Sequence, residues 1–312
     1  MTDFWKGGQK MKKYLLTRET GKWTDFIPVA AVLSFLLTVF SSVPASLLHN
    51  VLHIRELLTM LAGGNEDAAQ FLEQYLSFDG IWILFFLIVL LFKANRPMLK
   101  ALAYRKNTNN VKGALAGLLL GFGMNGICIL LSCLTGDIRL SFNGFKPVLF
   151  IAFLIAVCIQ SGGEELTDRC YLYQKLRRGY RQPWIAILVN SAVFSAMHLL
   201  NPGITVISVI GIFLSGLIWS LLVYYYDCWW AGVMMHTGWN FTQSILFGLP
   251  NSGVVSAYSV FRLDAASARD GFFYTVNFGV EGSLGSVIIL GAVAALILYL
   301  NRGKGEKADF WG

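Results

Sequence analysis

The sequence predicts an all-α polytopic membrane protein, a bundle of about eight transmembrane helices. Three observations predict it. The composition is 55% hydrophobic and only 14% charged over 312 residues, an apolar excess that no soluble domain of this size needs. The apolar residues gather into eight runs, all but the second near the roughly 20 residues that a hydrocarbon core of about 30 Å requires. Lys and Arg alternate between dense and sparse loops, as they do on the two sides of a membrane.

In chain order the runs cover 27–48, 81–92 with flanks, 113–134, 147–163, 183–200, 204–226, 229–249 and 284–300. The first follows a basic tail, residues 1–26, and lies too late and runs too long for a removable signal peptide, so it reads as a retained helix. Between the first two runs, Leu57, Leu58, Leu61, Phe71 and Leu72 recur at helical spacing, interrupted by Gly63 and Gly64. That pattern predicts a broken amphipathic helix on the outer membrane surface, with His49 and His53 in surface roles. The second run is short and is expected to borrow Phe78 to Gly80 and Lys93 to Ala94. The Gly- and Ser-rich residues 251–283 form the longest external loop, either a cap over the bundle or an irregular connector. The division is therefore 27–135 for the first helices, 145–250 for a core carrying the polar motifs, 251–283 for the loop, and 284–312 for the last helix and tail.

Eight spans put nineteen Lys and Arg on one side, including Lys175, Arg177, Arg178 and Arg181 in the fourth loop; the other side keeps five, Arg55, Arg139, Lys146, Arg262 and Arg269. Both termini are then cytoplasmic. The net charge of +7 follows from this asymmetry; it points to anionic membrane lipids as partners and away from nucleic acid. The five cysteines lie in or beside spans, where disulfides are not expected.

Charged groups at bilayer depth cost at least about 2.5 kcal/mol each, so a cluster of them is a functional-site hypothesis. The segment Ser-Gly-Gly-Glu164-Glu165-Leu-Thr-Asp168-Arg169 is such a cluster. On a helix Glu165 and Arg169 can pair, while Glu164 points about 100° away and stays free. In an antiparallel hairpin turning near residues 180 and 181, His198 lies level with Glu164. Phe194 precedes His198 by one turn, and Asn240 follows His236 by one turn. A carboxylate with a neutral histidine can deprotonate a water, and a second histidine with an amide can stabilise an oxyanion. No Ser/His/Asp arrangement, aspartate-protease motif or His-Glu-x-x-His zinc motif is present.

The pattern Glu164-Glu165-x-x-x-Arg169, Phe194-x-x-x-His198, His236-x-x-x-Asn240, one motif per span, resembles the CPBP family of CAAX proteases and bacteriocin-processing (Abi) enzymes. The resemblance implies an intramembrane endopeptidase acting on a peptide or a lipid-anchored peptide. It further implies that Glu164 activates water with His198, that His236 and Asn240 form the oxyanion hole, and that Glu165 with Arg169 holds the site together. It leaves open whether a divalent metal such as zinc is used; Glu164, His198 and His236 would be its ligands. It also implies an integral protein of the bacterial plasma membrane. Asp168 and Cys170 stand where the family commonly has an aromatic residue and a glycine. Two rival functions are a binding or immunity protein that holds a partner without cutting it, and a proton-coupled transporter with the same polar set as a relay.

Overall fold

The computed structural model describes residues 16–311; the tail cations Lys6, Lys10, Lys12 and Lys13 lie outside them. Helices α1 (Ile27–Phe40) and α2 (Ser42–Val51) lead into α3 (Ile54–Leu61), α4 (Glu66–Leu76), α5 (Asp79–Leu91) and α6 (Val111–Leu134). After them come α7 (Pro147–Glu165), α8 (Tyr173–Gly179), α9 (Pro183–Met197), α10 (Val206–Tyr226), α11 (Trp229–Phe241) and α12 (Leu284–Leu300). A wider π-type segment, Leu166–Leu172, joins α7 to α8, and a second, Thr242–Leu246, prolongs α11. The starts follow local chemistry. Proline occupies the first turn of α1, α7 and α9, where its missing N–H is not needed. The side chains of Asn65, Asn110, Thr205 and Ser283 accept the free amides that open α4, α6, α10 and α12.

The chain is thus an all-α polytopic membrane protein, with helix on each of the eight predicted runs. Among the described residues, five stretches are long and apolar enough to span: Ile27–Val51, Glu66–Leu91, Val111–Leu134, Pro147–Gly179 and Val206–Tyr226; Pro183–Met197 and Leu284–Leu300 are shorter apolar helices. The seventh run, α11, is buried on nearly every side. It is the central helix of the bundle, packed between α6 and α7. Gly117 and Gly121 of α6 make the first of these contacts, because a methyl group on either would overlap the main chain at Ala231 or Met235. Small residues four apart let two membrane helices approach this closely.

Three expectations are corrected. The second span gains its length on the amino-terminal side, from Glu66, whereas Lys93 and Ala94 begin a separate 3-10 turn, Lys93–Ala101. Residues 66–76 therefore belong to the bundle and not to the outer membrane surface: Phe71 and Leu72 of α4 pack with Leu149, Phe153 and Ala156 of α7. The periodicity reports that one face is apolar, not whether lipid or protein covers it. The break falls at Gly63 and Gly64, with φ of 65° and 84°, and only α3 is left without a buried residue. Second, His49 is buried between Glu73 (3.6 Å) and Asp79 (3.0 Å), because α4 folds back over α2, while His53 stays exposed. Third, Lys175, Arg177 and Arg178 are residues of α8, not of a loop, and all three are buried. Lys175 and Arg178 pair with Asp25, and Arg177 pairs with Glu306 and Asp309. These cations meet the chain's own acids instead of lipid headgroups.

Both described termini lie on the face that carries these pairs. At the opposite face β1 (Leu140–Phe142) pairs antiparallel with β2 (Phe261–Leu263). Of the two readings of residues 251–283, the cap is the one seen: Asn251, Ser252, Val254 and Glu281 close over a central cavity.

Candidate active site

The stretch Pro147–Gly179 brings its charged cluster to mid-helix, where the α-helical turns widen into the π-type segment. Such widenings often accompany functional sites. Arg169 is fully buried; its Nη1 lies 3.1 Å from Glu165 Oε1 and its Nη2 donates to the Gly216 carbonyl at 3.1 Å. The guanidinium also sits over the rings of Phe194 and Trp219, 4.7 and 5.1 Å from their centres. A buried cation needs such company, since an unpaired one would cost several kcal/mol.

Glu165 also accepts from His236 Nδ1 at 3.1 Å. The imidazole stacks on Trp219, with centroids 4.2 Å apart and planes 17° apart. Its other nitrogen, Nε2, is 3.7 Å from Glu164 Oε2. Successive carboxylates therefore reach opposite nitrogens of one imidazole, although the helical wheel separates them by about 100°. Glu165 accepts only, so it fixes a proton on Nδ1 and aims Nε2 at Glu164.

A chain of amides holds Glu164 from its other side. Asn251 Nδ2 donates to Asn240 Oδ1 (3.2 Å), Asn240 Nδ2 to Gln160 Oε1 (3.2 Å), and Gln160 Nε2 to Glu164 Oε1 (2.5 Å). Glu164 Oε2 is buried and has no hydrogen-bond partner in the protein. His198 caps the end of α9; its Nδ1 donates to the Phe194 carbonyl at 2.8 Å, with the Phe194 ring 4.8 Å away. A carbonyl cannot donate, so this bond places the His198 proton on Nδ1 and leaves Nε2 with a lone pair. Glu164, His198, His236 and Asn240 line one cavity of about 340 Å³. Glu165 and Arg169 stand behind that wall.

From the cap, Glu281 joins this lining. The Ser252 amide donates to its carboxylate, with Ser252 in the left-handed region at φ 48°. Burial pushes the Glu281 carboxyl up to about 7, against the opposing pull of Ser252, the Trp239 side chain and the charge of His236.

Residues 146–242 match the family described as type II CAAX prenyl endopeptidase, Rce1-like. The match covers about a third of the chain and supports a CAAX-type intramembrane protease family for that segment. The segment runs from the foot of α7 to the end of α11. No curated protein and no solved structure matches the chain.

All six residues singled out in the sequence meet here, four on the cavity and two behind it. Sequence reasoning missed Gln160, Trp219, Asn251 and Glu281. Gln160 left a signal, a lone amide one turn before Glu164 in an apolar run. Trp219 left none, because an aromatic residue in a membrane helix reads as core. For a metal, the fit is poor. Among the described residues no three His, Cys, Asp or Glu side chains converge as an ion would require, although the engaged Nδ1 atoms of His198 and His236 leave each Nε2 as the nitrogen a metal would use. Glu164, His198 and His236 share the cavity without forming such a group.

Proposed function

We propose that the protein is an intramembrane endopeptidase in which Glu164 activates the hydrolytic water. The observation that carries this reading is the free oxygen of Glu164, buried at the cavity wall beside His236, in a cavity that His198 also lines. A water there can donate to Glu164 Oε2 and to His198 Nε2, both acceptors, which turns its lone pair toward a substrate carbonyl. Glu164 takes the proton as the water attacks. Asn240 has one N–H left after its bond to Gln160 and offers it to the developing oxyanion. His236 assists as a donor when Nε2 also carries a proton; the charges of Arg169, His236, Glu164 and Glu165 then sum to zero. Glu165 and Arg169 position His236 and touch no substrate. Return of the proton from Glu164 to the leaving amine completes the cycle.

Substrates on this reading are peptides or lipid-anchored peptides of a bacterial plasma membrane, with the basic face carrying the termini in the cytoplasm. The test is purification in detergent and incubation with prenylated and unprenylated peptides, wild type against Glu164→Gln. A general base contributes about 10²- to 10⁴-fold, and the variant is expected to lose at least that much kcat while keeping its fold. Retention of wild-type turnover by Glu164→Gln overturns the mechanism.

A further inference from the structure

The cavity holds more acid than the proposed hydrolysis uses. Glu164, Asp168 and Glu281 line it, while neither Lys nor Arg does. Arg169, the arginine of this cluster, is fully enclosed behind the wall and engaged by Glu165, Gly216 and two aromatic rings. The imbalance extends to single atoms. Asp168 is about 1% exposed, yet its Oδ1 has no hydrogen-bond partner in the protein, and its other oxygen is 3.9 Å from Arg169. Asp168 stands one turn beyond Glu164 toward the face of the termini. Glu281, also buried, is brought in by the cap from the opposite face.

Building on the endopeptidase reading, we infer that Asp168 and Glu281 are specificity-determining carboxylates that select a peptide with a Lys or Arg side chain next to the scissile bond. Asp168 Oδ1, a buried acceptor without a donor, is costly until a donor arrives. An ammonium or guanidinium brings several donors and a charge, and stays worth binding in a water-poor site, where its bond to a carboxylate is strongest. A substrate carboxylate does the reverse. It adds a fourth acid to a wall with no Lys or Arg to receive it, so a chain ending inside the cavity is disfavoured against one passing through. Glu281 lies outside the matched residues 146–242, so on this account part of the selectivity comes from the chain's own cap.

The experiment uses the full-length protein in detergent and a set of internally quenched peptides. They differ at one position on either side of the cut, as Lys, Gln or Glu, each with a free or an amidated carboxyl end. Wild type is expected to favour Lys over Gln by at least tenfold in kcat/KM and to favour amide over free acid. In Asp168→Asn or Glu281→Gln the Lys-to-Gln ratio falls toward one, whatever happens to overall turnover. Two variants are needed because the first alters a carboxyl beside buried Arg169 and can lower stability; thermal unfolding of each reports that separately. Photo-crosslinking of the same peptides to Glu164→Gln reads binding without cleavage. Cleavage with no Lys preference, or a preference unmoved in both variants, overturns this inference and leaves the protease standing. A Lys preference in crosslinking with no cleavage by wild type sinks the protease reading and, with it, the placing of the Lys beside a scissile bond, leaving a cavity that selects cationic peptides. Neither cleavage nor selective crosslinking sinks both.

Discussion

Gln160 decides whether Glu164 has one free oxygen or two. Its amide nitrogen engages Glu164 Oε1 and its amide oxygen receives Asn240, so a single side chain fixes both the proposed base and the proposed oxyanion donor. Gln160→Leu keeps the volume and removes both bonds. It is expected to lower kcat by about 10- to 100-fold with little change in KM, since about 1 to 3 kcal/mol of positioning is lost from groups that act in the transition state. Equal losses in substrate binding would show that Gln160 serves the ground state. Glu281 supports a second prediction, about stability. Its carboxyl titrates near 7 in the fold against an ordinary 4.5, so folding takes up a proton between these values. The cost of burying its charge is absent well below pH 4.5, grows as pH rises, and is complete above about 7. At about 1.4 kcal/mol per unit it reaches the order of 3 kcal/mol. Glu281→Gln does not titrate and still offers Ser252 an acceptor, so its melting temperature should exceed that of wild type at pH 8 by more than at pH 5. A gap independent of pH would contradict the assignment.

Helix α11 carries His236 and Asn240, and what sets its depth is α6. A methyl group on Gly121 would overlap the Met235 carbonyl, one residue before His236. Gly121→Val must therefore push α11 outward or be refused, at about 1 to 3 kcal/mol of overpacking. Because the imidazole sits within 3.1 Å of Glu165 and 3.7 Å of Glu164, a shift of an ångström also removes turnover. Gly126, on the same helix with open space around it, is the control: Gly126→Ala should change neither melting temperature nor activity. The elements themselves were legible, because apolar runs of membrane length leave little choice but helix. The motif spacings were legible too, since residues four apart share a face whatever the tertiary fold. Hidden from the sequence were facts that depend on a neighbour: that α4 packs on α7, that Trp219 underlies His236, and that Glu164 and Glu165 meet at one ring.

At the scale of the molecule, the two ends of the chain hold the foot of the helix that carries Glu164. Asp25 is fully buried, with Arg178 Nε and Nη2 at 2.7 and 2.6 Å and Lys175 Nζ at 3.5 Å. From the other end Glu306 and Asp309 take Arg177, and Trp311 lies over Arg178 while its Nε1 donates to Gln174. Arg18 joins the two ends through Asp309. The same helix carries Glu164 near its middle, so the strap over α8 and the site share one rigid rod. Counting these cations as loop residues hid the strap, because a basic run looks alike whether it faces headgroups or the chain's own acids. Asp25→Asn leaves Arg178 and Lys175 buried without their acid, which costs about 3 to 5 kcal/mol where a partner is deleted from a buried pair. The variant should melt well below wild type in detergent, with little dependence on salt because the pair is enclosed. Replacing both members, Asp25→Asn with Arg178→Met, should recover part of the loss, since an apolar side chain tolerates the space that an orphan guanidinium does not. If Asp25→Asn melts like wild type, the foot of the helix is held by packing alone and the strap has no electrostatic role.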